Sequence, residues 1–261
     1  MMECTTGLTD DEFDELLAEP FIRGRELTTA VLGTRALGVT ELIIDLRYNG
    51  GGLVSVADTF GDLLGRGRVG QVWSREVLRA SKASENSTQL FRNEPNAITP
   101  TRIAFITTGA SASASELVVN SSIPYFGANM ALVGANSFGK PVGQFAFDLA
   151  ACDLRIRAVA FQTVNANNQG EYFNGLASVV PNTCRAGDDI TRPLGDPQEA
   201  SIAAALDFLA GRTCTPITSS AASAQGANAG QAARQGLNLP EREPLQPKKP
   251  LPVQRELPGL F

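Results

Sequence analysis

The chain contains no histidine. That excludes a Ser-His-Asp triad and any metal site built on imidazole. It also lacks an excess of positive charge: 22 Lys+Arg face 27 Asp+Glu, for a net charge of -5. A nucleic-acid binder would usually carry a basic face, so no nucleic-acid partner is expected. No apolar run approaches the roughly 18 to 20 residues that span a bilayer. The opening MMECTTGLTDDEFDELLAEP is acidic and has no basic segment followed by an apolar one, so it does not read as a signal peptide. Only four cysteines are present, Cys4, Cys152, Cys184 and Cys214, and none forms a C-x-x-C pair. No metal and no cofactor are expected. Spacing leaves open both buried free thiols and a structural disulfide, and does not choose among the pairings.

What is present is a 43% hydrophobic chain of 261 residues, enough for one or two globular domains. GRELTTAVLGTRALGV (24–39) predicts a helix. ELIIDLR (41–47) predicts a buried strand that runs directly into YNGGG (48–52), a backbone-permissive turn. SVADTFGDLLG (55–65) predicts a helix. The unit recurs: TRIAFITT as strand, GASAS as a turn of small residues, SELVVNSS as a short helix stopped by Pro124, ANMALVGAN as strand. FAFDLAACDLRIRAVAFQTV reads as paired strands. DPQEASIAAALDFLAGR reads as a helix with Asp196 as N-cap, Pro197 at the first position, Glu199 at N3 and Gly211 at the end. Beyond Cys214 the chain is Ala/Ser/Gly-rich and then proline-rich, and 216–261 is expected to be a disordered tail. The fold class is α/β, with a largely buried sheet. Ligands in such sheets bind where strands end and helices begin, and both small-residue turns fall there.

Two stretches carry chemistry. In Ser113-Ala114-Ser115-Glu116 the S-x-x-E spacing fits a capping box. A structural cap explains it fully. A serine at a helix start also sits among unpaired N–H groups that can hold an oxyanion. Without histidine its proton needs another base. A lysine can serve where desolvation favours its neutral form. Lys140 follows an apolar strand and has no acidic neighbour in sequence; the ordinary alternative is a surface lysine on a loop. GANSFGK (134–140) also fits G-x-x-x-x-G-K. Pro141 stands where a P-loop needs Ser or Thr and removes an N–H, so a P-loop is not expected.

Together these residues resemble the S41 family of serine peptidases, the C-terminal (tail-specific) processing peptidases. IIDLRYNGGG (43–52) resembles the family's strand-turn signature. GASASASELVV, then VGANSFGKPVGQ, resembles its catalytic block. The resemblance spans roughly residues 25 to 212. It implies a ClpP/crotonase-like core of repeated strand-turn-helix units. It implies Ser113 as nucleophile, Lys140 as general base and Gln144 as the residue that orients the lysine. It implies the N–H groups of Gly51 and Ala114 as oxyanion donors, with Gly52 and Glu116 in support. The implied partners are unfolded or C-terminal segments of protein substrates, cleaved by a serine endopeptidase. The implied location is extracytoplasmic (periplasm or cell envelope), with a disulfide among Cys152, Cys184 and Cys214. The expected organisation is an N-terminal remnant or linker (1–25), a peptidase core (26–215) and the tail (216–261). Residues 1–25 are too few for the PDZ domain that family members usually carry there. Two alternatives follow: a catalytically inactive peptide-binding remnant, and a crotonase-like acyl-CoA enzyme. The lysine-glutamine block weighs against the second.

Overall fold

In a computed structural model of the chain, residues 38–149, 154–193 and 195–218 are described. The expected helix over 24–39 and the expected tail lie almost wholly outside them.

Four strands form a parallel sheet in the order β1-β4-β5-β8: β1 (Glu41–Asp45), β4 (Arg102–Thr107), β5 (Met130–Gly134) and β8 (Thr183–Arg185). Ile44 pairs with Phe105, and Phe105 with Leu132. The side chains of β4 and β5 alternate between two apolar layers. Ile103, Phe105, Met130 and Leu132 point to a core shared with α1 (Val54–Leu64) and α2 (Ala114–Phe126). Ala104, Ile106, Ala131 and Val133 point to the other face, covered by Ala205 and Phe208 of α3 (Ala200–Leu209). Burial on both faces is why these strands read as continuous apolar runs rather than alternating ones. A second, antiparallel sheet has the order β3-β2-β7-β6: β2 (Val72–Leu78), β3 (Ser87–Leu90), β6 (Val142–Leu149) and β7 (Leu154–Asn165). Helix α2 lies between the sheets, with every residue from Ser115 to Ser122 buried. The expected α/β class with strand-turn-helix units is what the structure has. Strands β2 and β3 were not anticipated from the sequence. Among the described residues no helix is long and apolar enough to cross a membrane.

Two local expectations need correction. Pro124 does not stop α2, which continues to Phe126. Proline removes the N–H that would bond the Asn120 carbonyl, but Asn165 Nδ2 donates to that carbonyl instead, at 3.3 Å. The substitute donor comes from β7, so the sequence of the helix alone does not reveal it. The N-cap of α3 is Glu199, not Asp196: its carboxylate accepts from Ser201 N–H at 3.1 Å and Ile202 N–H at 2.9 Å. Asp196 instead caps the preceding turn, through Gln198 N–H at 2.8 Å. Of the cysteine pairings left open, the structure forms Cys184–Cys214, with Cα atoms 5.2 Å apart. Described residues run on to 218, and Ile217 is buried in the core.

Helix α1 carries one mismatched group. Asp58 is half-buried, and its Oδ1 has no hydrogen-bond partner. Burial raises its carboxyl from 3.8 to about 7; Arg92 opposes the rise, and Glu76 and Asp62 add to it. The folded state therefore keeps a proton that the unfolded chain releases between those values. Stability falls as pH rises through that window and levels off above it. Asp58→Asn is expected to flatten this slope and to raise Tm at pH 8 by roughly 2–6 °C. Calorimetry at pH 5 and pH 8 checks it; an unchanged slope refutes the assignment.

Candidate active site

The glycine turn leaves β1 at Asp45 and enters α1 at Val54. Arg47 is its anchor. Its guanidinium meets Asp45 at 2.8 Å, Glu199 at 3.1 Å and Asp188 at 3.3 Å, with the side chain 9% exposed. The hydrogen bond with Asp45 holds its charge more firmly than usual. Tyr48 O–H donates to Asp188 beside it, which raises the phenol's pKa. Sequence reading missed Asp188 and Glu199 as partners of this turn. The one available signal was an arginine inside an apolar strand end, which calls for buried acids from elsewhere.

Asn49 stitches this turn to the small-residue turn before α2. Its carbonyl accepts from Ala112 N–H at 3.0 Å and from Ser115 Oγ at 3.1 Å. Ser111 Oγ donates to the Leu46 carbonyl at 2.7 Å and accepts from Thr108 N–H at 3.0 Å. Two of the three alternate serines are thus buried and committed to structure. Ser113 is different. It is only partly buried and sits at φ 58°, ψ -118°, a backbone region that L-residues rarely occupy. The capping box is present: Glu116 returns a bond to Ser113 N–H at 3.0 Å. The Ser113 hydroxyl faces the N3 amide without a full cap hydrogen bond. Ala114 N–H makes no hydrogen bond among the described residues.

Gly51 abuts this serine. At φ +103°, a Cβ on it would lie 2.6 Å from Ser113 Cβ and 2.8 Å from Ala114 N. Only glycine fits both the dihedral and the space. Its own N–H is donated to Asn49 Oδ1 at 3.0 Å, an Asx-turn bond. Gly51→Ala should therefore displace the serine turn and lower Tm by roughly 2–8 °C. Thermal unfolding checks it, and an unchanged Tm refutes the contact.

Lys140 reaches the same place through Glu116, which is fully buried. Glu116 Oε2 accepts from Lys140 N–H at 2.8 Å as well as from Ser113 N–H, and Oε1 accepts from Gly139 N–H at 2.7 Å. One carboxylate oxygen thus ties together the backbones of both residues. Phe138 N–H bonds to the Ser111 carbonyl at 2.9 Å, sewing the lysine loop onto the serine turn. Among the described residues no carboxylate pairs with Lys140 Nζ, and no hydrogen bond joins Nζ to Ser113 Oγ. Gln144 lies on β6, exposed and without a hydrogen bond to Lys140. A bulge between Gly143 and Gln144 changes the pairing there. The structure therefore assembles Gly51, Ser113, Ala114 and the Lys140 backbone, and leaves Gln144 apart. No group of three His, Cys, Asp or Glu among the described residues is placed to hold a metal.

On this α/β core a strained serine at a helix start is pressed against a glycine turn and is tied through Glu116 to the backbone of a lysine. The family model for peptidase family S41 matches residues 13–178, and the chain belongs to that family. A solved Bacteroides fragilis structure described as an S41 protease is 22% identical, with a TM-score of 0.65 over 79% of this chain. This chain spans 52% of that one, and the likeness shows the fold. A solved photosystem II D1 C-terminal processing protease gives 19% identity over 62% of this chain and 39% of its own, with a TM-score of 0.48. Two curated relatives match in short segments. A D-alanine–D-alanine ligase of Novosphingobium aromaticivorans is 87% identical over 31 residues, which is 12% of this chain and 10% of that protein. One from Methylorubrum populi is 50% identical over 60 residues, 19% of this chain and 20% of its own.

Proposed function

We propose that this peptidase is a serine endopeptidase that uses a Ser113–Lys140 dyad. The observation that carries the reading is Glu116, whose one buried oxygen holds the backbones of both residues. In the reaction Ser113 Oγ bonds to the scissile carbonyl carbon and its proton passes to the neutral amine of Lys140. The oxyanion is held by Ala114 N–H and by Gly51 N–H, which exchanges Asn49 Oδ1 for it. The C–N bond then breaks and the leaving amine takes the proton from Lys140. Water repeats the sequence on the acyl-enzyme and frees Ser113. Gln144 turns toward Lys140 when substrate is bound. Substrates are unfolded segments near protein C-termini. The core is residues 26–215 with its packing continued through Ile217. The location is extracytoplasmic, supported by the Cys184–Cys214 disulfide, which persists in oxidising compartments.

A second reading, an inactive peptide-binding remnant, has one observation in its favour: Ser113 and Lys140 share no side-chain hydrogen bond. Fluorophosphonate labelling separates the two. The dyad predicts a single adduct, mapped to Ser113 by mass spectrometry and largely lost in Lys140→Ala. No adduct at any pH favours the remnant.

A further inference from the structure

Strand β6 begins at Val142, two residues past Lys140, and among the described residues it is an outer strand of the antiparallel sheet. Its partner β7 pairs with β2 from Phe161 to Asn165. From Leu154 to Val159, β7 therefore has β6 alone beside it among the described residues, and the two form an arm. One face of the arm is apolar. Phe147 pairs with Ile156 and Phe145 with Ala158, while Asp148–Arg155 and Ala146–Arg157 occupy the other face. Phe147 and Ile156 are each more than half exposed. At its root Phe145 meets Phe161, with ring centroids 5.1 Å apart, and Phe161 covers Gly143 so closely that no Cβ fits there. The apolar face thus extends from Gly143, three residues past Lys140 in sequence, to the outer arm.

Outer strands are normally guarded by lysine, proline or a cover, because their free N–H and C=O groups recruit another strand. VGQFAFDL has no lysine, no proline and one charge, near its far end. A two-stranded ribbon exposed on both faces is also marginal in water on its own.

We propose that the outer edge of β6 takes the extended substrate peptide as an added strand. Main-chain hydrogen bonds would give affinity, and apolar side chains at alternate peptide positions would join the Phe145–Phe147–Ile156 face. The occupant is a peptide because the chain is a peptidase and the edge starts at its lysine; the inference rests on the reading of Ser113 and Lys140 above. At roughly 3.3 Å per residue, a peptide must extend some five to seven residues from the scissile bond to meet both phenylalanines.

The test compares a tetrapeptide and a dodecapeptide with alternating valines, and the same dodecapeptide N-methylated at alternate amides. The proteins are the full chain and its Phe145→Ser/Phe147→Ser variant, with circular dichroism checking the fold. The expected result is a KM for the dodecapeptide about tenfold higher in the variant, with kcat and tetrapeptide kinetics unchanged. N-methylation should cause a similar loss in the wild type. Dodecapeptide KM values within twofold of each other, or indifference to N-methylation, overturn the proposal. So does light scattering that shows a wild-type dimer abolished by the variant, since the edge would then hold a second copy. Should the wild type cleave neither peptide, the dyad reading fails. Fluorescence anisotropy of the labelled dodecapeptide then decides alone: equal binding by both proteins, or no binding by the wild type, overturns the added strand.

Discussion

Ser113→Ala is expected to lower kcat/KM for an unfolded protein substrate by on the order of 10³-fold or more, and Lys140→Ala by a similar factor. The double variant should be little worse than either single one. A nucleophile and its base act as one unit, so their losses do not add. The neighbouring serines give the control. Ser111 and Ser115 hold the carbonyls of Leu46 and Asn49, so Ser111→Ala and Ser115→Ala should lower Tm while most kcat survives. If Ser113→Ala keeps more than a tenth of the activity, the nucleophile is elsewhere. If Lys140→Ala does, another group takes the proton.

Glu116 is expected to have the next largest effect. Its buried carboxylate accepts from three backbone N–H groups, and among the described residues no cation pairs with it. Glu116→Gln keeps one acceptor oxygen but points an NH₂ group at donors. Glu116→Ala leaves three buried N–H groups unmatched, each costing about 1–3 kcal/mol. A buried capping residue that merely stabilised α2 would change Tm and leave turnover intact. A carboxylate that aligns Ser113 with Lys140 should also reduce kcat, by about 100-fold in the Gln variant, with KM nearly unchanged. Equal kcat in the wild type and in Glu116→Gln would reduce Glu116 to a cap.

The parallel sheet was legible because its strands are apolar on both faces and end in turns of glycine, alanine and serine. The place of Ser113 at the start of α2 was legible because S-x-x-E marks a helix start. The unread parts depend on distant partners. Asn165 rescues the Asn120 carbonyl across Pro124, Glu199 caps α3 while also gripping Arg47, and both acts join residues far apart in sequence. Strands β2 and β3 are mixed polar and apolar, VWSREVL and STQL, and in β2 the adjacent Trp73 and Ser74 are both buried. Their pattern therefore offers neither a long apolar run nor a clean alternation.

Arg47 has one further consequence. Of the three acids that grip it, Asp45 precedes the turn, but Asp188 and Glu199 come from segments made well after it. During synthesis the turn and the serine emerge long before residue 199 can close around them. A half-made chain thus carries Ser113 and Lys140 but lacks the part of the clamp that closes last. The order of translation leaves the turn's pose loosely held until residue 199 has been made and can fold back onto it.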